Sequence, residues 1–361
     1  MRVARIAFYL YICIIIQITM ALKRSLTQLF IRLFPAEVSH RIQLAMLSFV
    51  GTLPFGKRFL RRTLSPRNIN LEREVMGIHF SNPIGIAAGY DPNGDHLDEL
   101  ASCGFGFVEI GSITPRPQPG TPRPRLKRLR KENSLINNSG APSRGLEYVM
   151  HNIRKRTKHN HNLVIGCNIG KLTTTPAKNI VKEYLRVFRN TYQYVDFFVI
   201  NIACNTAAKR FVPHTREEIM ALIEPMFEFR RGQLDYRPIL LKISPDISQE
   251  ELDTIIDILI ETPLDGIEAV AGSTAMCTTE KGAICGAMLT ERAIEMVRYI
   301  AKRSEHNYPI IGTGGMMIPT DIERMMEAGA SLVALSSGLR ENGFKLLKKA
   351  AAKIATNNAK Q

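Results

Sequence analysis

From residue 71 onward the chain repeats one unit: a short β-branched run ending in Gly, Asn, Ser or Thr, followed by a longer stretch with helical spacing. Eight such runs occur, at 84–89, 107–114, 164–170, 197–203, 239–244, 266–272, 309–315 and 331–338. Alternation of this kind builds parallel strands joined by helices. Eight is also the number that closes such a sheet on itself, so the expected fold is an α/β (β/α)8 barrel of the TIM type. An open doubly wound sheet is the alternative. Between the runs, 250–261 behind a Ser248 cap and 290–303 read as helices.

A barrel of about 250 residues leaves room in this chain of 361 for an N-terminal extension. With 45% hydrophobic and 22% charged residues, the composition is that of a folded protein, not a disordered one. The net charge of +15 is uneven, because residues 1–66 hold ten Lys/Arg against a single acid, Glu37. Basic side chains beside apolar helices favour an anionic lipid surface. No motif or aromatic-interleaved basic strand supports nucleic acid as the partner. Six cysteines without zinc or iron–sulfur spacing read as separate reduced thiols, and no metal is expected.

The run 6–22 is apolar except for Gln17 and Thr19 and has basic flanks. Its length is at the lower limit for a membrane span, and no small-residue cleavage site follows it. Either it anchors the chain, or translation begins at Met20. Apolar residues then recur with helical spacing on both sides of Pro35, so 25–54 reads as a helical hairpin and 55–70 as a linker. The hairpin either packs on the main domain or enters a membrane interface. The division is therefore 1–22 as anchor or superfluous start, 23–70 as membrane-associated segment and linker, 71–350 as barrel and 351–361 as tail. The expected location is the cytoplasmic face of a membrane.

The mouth of such a barrel carries the chemistry. IIGTGG (310–315) and ALSSG (334–338) put glycines and hydroxyls at the ends of the seventh and eighth runs, where these barrels hold phosphate. The glycines also suit a plain strand-to-helix turn. Lys242 lies inside an apolar strand and needs an anion, either an electron-rich cofactor or a core carboxylate such as Glu109 or Glu268. NIACNT (201–206) closes the fourth run with Cys204 between amides, a placement for a general base or for a small buried apolar residue. The long proline-rich segment between the second and third runs reads as a functional loop over the mouth.

Across residues 71–345 the motifs NPIGIAAG (82–89), EIGSITPRPQPG (109–120), LIN (135–137), NIGK (168–171), LKISPD (241–246), IIGTGG and AGASLV (328–333) resemble, in order, those of the dihydroorotate dehydrogenases. The N-terminal hairpin resembles that of the quinone-linked class, in which it forms a quinone tunnel and the membrane contact. The resemblance implies an FMN-dependent oxidoreductase of pyrimidine biosynthesis that converts dihydroorotate to orotate and passes the electrons to quinone. It implies an FMN shell of Ala88, Gly89, Ser112, Asn168, Asn201, Lys242, Gly286, Gly314, Gly315, Ser336 and Ser337. Substrate amides would be Asn137, Asn201 and Asn205, with Cys204 as the base.

Departures from the family pattern gather at the substrate. Pro92 stands where the family has a lysine near the orotate carboxylate, and proline offers no donor. Ala141 replaces an aromatic residue, and Gly272-Ser273-Thr274 replaces Asn-Thr-Thr. The family's base, Ser or Cys, is followed by a proline that is missing before Asn205. Two other readings follow: a divergent flavin oxidoreductase acting on another substrate, or a catalytically silent FMN-binding membrane protein.

Overall fold

The structure is a computed structural model that describes residues 33–66, 69–157, 163–203, 215–278 and 280–358. The expected anchor 6–22, the first helix of the hairpin, Cys204 and Asn205 lie outside the described residues.

All eight runs are strands of one closed parallel barrel. In barrel order these are β3 (Ile84–Ile86), β4 (Phe107–Ile113), β7 (Val164–Ile169), β8 (Phe197–Asn201), β9 (Ile239–Ile243), β10 (Gly266–Ala269), β12 (Ile310–Thr313) and β13 (Leu332–Leu335), with β13 pairing back onto β3. The open-sheet alternative is thereby excluded. Each strand stops one to three residues short of its expected end, because the small terminal residues, mostly Gly, Ala and Ser, turn out into the mouth.

Alternation along the strands creates two separate cores. Outward residues such as Ile110, Ile165, Phe198, Ile200, Leu241 and Ile267 pack under the helices. Inward residues Phe107, Val164, Phe197, Val199, Leu240, Ile311 and Leu332 fill the lower half of the barrel. Two glycines make room for the rings: a Cβ at Gly85 would strike Phe107, and one at Gly166 would strike Phe197.

A hairpin of β1 (Arg73–Val75) and β2 (Ile78–Phe80) closes the floor, with Phe80 edge-on to Phe107 at 5.7 Å. Its two-residue turn has Met76 and Gly77 at positive φ, the twist that matches paired strands. The helix Gln249–Glu261 starts at Ser248 in a reciprocal capping box with Glu251.

Two expectations are corrected. The stretch taken as a linker contains a helix, Gly56–Leu64, which packs with helix α1 (Ala36–Thr52) and helix Leu97–Cys103 around Leu47, Val50, Leu60 and Leu64. Its Leu60 and Leu64 share a face beside four basic residues, a pattern too short and too charged to stand out in sequence. The proline-rich loop is also structured: β5 (Leu126–Leu129) and β6 (Ser134–Asn137) join β11 (Ala283–Gly286) in an antiparallel sheet. Its β11 strand comes from more than a hundred residues away, so no local pattern reveals it.

Candidate active site

Above the phenylalanine layer the barrel interior becomes polar and charged. The register sets Asn201 beside Lys242 and Lys242 beside Glu268, so β8, β9 and β10 each deliver one inward group at the same height. Lys242 Nζ lies 2.6 Å from Glu268 Oε1 and 3.7 Å from Glu109 Oε2. The core ion pair considered for Lys242 is therefore present, and the lysine also faces the cavity above. Glu109 accepts from the Ala88 N–H at 2.8 Å and from Asn168 Nδ2 at 2.5 Å. Ser112 Oγ donates to Asn168 Oδ1 at 2.6 Å, and Asn201 Nδ2 donates to Ser112 Oγ at 3.1 Å.

Burial alone would depress the Lys242 ammonium, but Glu109 and Glu268 outweigh it and hold it above its ordinary value. Burial, reinforced by Glu109 and only partly opposed by Lys242, pushes Glu268 well above the usual carboxylate range.

A single cavity of 1580 Å³ spans the mouth. It is larger than the roughly 300–1,000 Å³ usual for one small ligand. Ala88, Gly89, Ser112, Asn137, Asn201, Lys242, Gly314, Gly315, Ser336 and Ser337 all line it. Asn168 stands one hydrogen bond behind, through Ser112 and Asn201. Gly286 is not in the lining: its φ of 99° lets it pass close over the Ser134 backbone, while its neighbour Cys285 reaches the cavity. Gly89, Gly314 and Gly315 all have positive φ, which brings bare backbone to the wall. Asn201 Oδ1 is buried with no hydrogen-bond partner among the described residues.

The cavity continues to helix α1, where Glu37, His40, Arg41 and Leu44 form part of its wall. His40 Nε2 donates to the Tyr90 carbonyl at 2.9 Å, and Arg340 donates to the Gly89 carbonyl at 2.5 Å. Burial first, and Arg340 second, lower the His40 pKa well below its usual value, so the ring is neutral at physiological pH. Asp91 accepts from the Asp95 and His96 N–H groups and shapes the loop that carries Pro92. Burial raises its carboxyl to about 7.

Sequence reasoning did not single out His40, Tyr90 or Arg340. The only available signal was a buried-face position for His40, and nothing local marks Arg340, which is drawn inward by contacts to residues 89 and 90.

A closed eight-stranded barrel with a charged, roofed cavity at the C-terminal ends of its strands defines an enzyme-type (β/α)8 barrel, with a helical N-terminal segment built into the cavity wall. The family model for dihydroorotate dehydrogenase matches residues 70–357. A protein of Christiangramia forsetii named dihydroorotate dehydrogenase (quinone) is 35% identical over 321 residues, covering 87% of this chain and 93% of the relative. One of the same name from Nitrosospira multiformis is 38% identical over 284 residues, covering 75% and 80%. The ligand-free crystal structure of DHODH from Eimeria tenella superposes with a TM-score of 0.81 at 25% identity, covering 90% of this chain and 95% of that one. The chain belongs to the dihydroorotate dehydrogenase family and is an oxidoreductase of that family.

Proposed function

We propose that this protein binds FMN and oxidises dihydroorotate to orotate with a membrane quinone as acceptor, a step of pyrimidine biosynthesis. The observation that carries the reading is that ten positions implied for cofactor and substrate line one cavity, and that this cavity reaches helix α1.

The residues fit the cofactor. Open space beside Gly89, the positive-φ turns at Gly314 and Gly315 and the hydroxyls of Ser336 and Ser337 suit a phosphate and a flat ring. The unpartnered Asn201 Oδ1 suits a ring or imide N–H. Bound FMN supplies the acceptor for the hydride leaving substrate C6. Lys242 would hold the cofactor's pyrimidine edge, and its charge would favour negative charge there. Asn137 and Asn201 orient the substrate, with Asn205 joining them, and Cys204 takes the C5 proton. The neutral His40 and the Arg340 guanidinium flank the route by which quinone approaches.

The described residues contain no helix long and apolar enough to cross a membrane. Helix α1 and its continuation nevertheless expose Val38, Met46, Phe49 and Phe55, next to the exposed Arg58, Arg61 and Arg62. That face suits peripheral contact with anionic lipid. Sedimentation with anionic vesicles but not with neutral ones is the expected result.

Purified protein reconstituted with FMN is expected to bleach on anaerobic addition of dihydroorotate and to recolour with a quinone analogue. FMN bound without bleaching would overturn the substrate assignment. A second reading, oxidation of a different cyclic imide or enone, is favoured by Pro92 and Ala141, which present the cavity with neither a donor nor an aromatic ring. Pro92→Lys separates the two. A regained charged contact worth about 1.5–3 kcal/mol would lower KM for dihydroorotate roughly tenfold or more, whereas an enzyme for another substrate would gain nothing.

A further inference from the structure

Two carboxyls and one ammonium meet in the barrel beneath the cavity, an unbalanced set for a closed interior. Lys242 bridges Glu268 and Glu109, whose side chains are 0% and 1% exposed. Glu109 is fully engaged by Ala88, Asn168 and Lys242. Glu268 is not: Oε1 meets Lys242, but Oε2 is buried without a donor among the described residues. Two buried carboxylates sharing one cation leave one uncompensated charge, which a barrel interior resists unless a proton supplies the balance.

We propose that Glu268 is a positioning residue that carries this balancing proton, and that its protonation sets how readily the cofactor above Lys242 accepts electrons. The proposal rests on the FMN reading. With the proton on Glu268 Oε2 and directed at Glu109, the triad is neutral. Without it, the triad carries one net negative charge, and the two carboxylates beside Lys242 compete for its ammonium. Two-electron reduction by hydride adds one negative charge to the ring. When Glu268 is ionised, that added charge draws one proton from solvent onto its carboxylate, and charge is conserved. The linkage is reciprocal: what reduction does to the proton affinity of Glu268, the Glu268 proton does to the potential. Burial and Glu109 both act in the direction that keeps the proton on Glu268.

The groups facing Glu268 are Glu109 from β4 and Lys242 from β9, with the neutral amides Asn168 and Asn201 on β7 and β8 next along the network. Cys285, on β11, couples to Lys242, and burial pushes its thiol up to about 11, so it is uncharged throughout the working range.

The test is the midpoint potential of FMN in the reconstituted holoprotein against pH, for wild type and Glu268→Gln. The amide mimics the protonated acid and cannot lose its proton. Wild type is expected to show an extra fall in potential as pH rises through the Glu268 titration, absent in Glu268→Gln, with the two curves merging at low pH. A merely structural Glu268 would leave the shape of the curve unchanged, and parallel curves would overturn the proposal. Should Glu268→Gln not fold, the reduced-minus-oxidised infrared spectrum of wild type decides. A protonated-carboxyl band that changes on reduction above the titration supports the proposal, and no such band overturns it. Failure of wild type to hold FMN is a different outcome, because it defeats the cofactor reading itself.

Discussion

The lower and upper halves of the barrel interior are made by the same eight strands and are opposite in chemistry. The floor is hydrocarbon, with Phe107 and Phe197 seated against Gly85 and Gly166 and Phe80 sealing the bottom. The mouth holds Lys242, Glu109 and Glu268 with Asn168 and Asn201, all buried and most of them mutually bonded. Two residues along a strand separate Leu240 from Lys242, and Phe107 from Glu109. The floor contributes stability that is indifferent to pH, whereas the mouth contributes little net stability and a strong dependence on protons.

The sharpest way to break that contrast is to remove one group from each half. Phe197→Ala leaves a cavity over Gly166 and is expected to cost about 3–5 kcal/mol in urea unfolding, equally at acid and neutral pH, with flavin content per folded molecule retained. Lys242→Met strands two buried carboxyls and is expected to cost a similar 3–5 kcal/mol at neutral pH. Part of that loss should return as pH falls and Glu268 takes up a proton, and the flavin should be lost. Equal pH dependence in the two variants would erase the distinction.

A smaller effect belongs to Asp91. Its folded pKa of about 7 lies above the ordinary 3.8, so the folded state binds the proton more tightly than the unfolded chain. Its contribution to stability is therefore complete below about pH 4 and declines as pH rises toward 7. Asp91→Asn should flatten this slope in urea titrations at several pH values. The smallest expected change is at Ser248→Ala, outside both halves, where loss of the capping box should cost about 1 kcal/mol in urea unfolding and leave activity unchanged.

The barrel was legible because its signal is local and repeated. Each strand shows as a β-branched run, and each exit shows as a Gly, Asn or Ser at its end. Gly314–Gly315 and Ser336–Ser337 stand out as such exits, just past β12 and β13, and Lys242 stands out because it breaks the apolar pattern of its own strand. The helix Gly56–Leu64 and the sheet of β5, β6 and β11 were not legible. The first has too few apolar residues to show a period, and the second is held by hydrogen bonds between segments far apart in sequence.

By itself the chain's order of residues determined the eight-fold alternation, the family motifs and the presence of a lysine that needed an anion. Tertiary structure alone decided which anion it meets, because Glu109 and Glu268 are separated from Lys242 by 133 and 26 positions and become neighbours only when the sheet closes. It also decided that His40 and Arg340, from opposite ends of the described chain, share a wall with the mouth. Periodicity is a property of neighbours along the chain, while charge balance in a closed barrel depends on every strand that faces inward at one height.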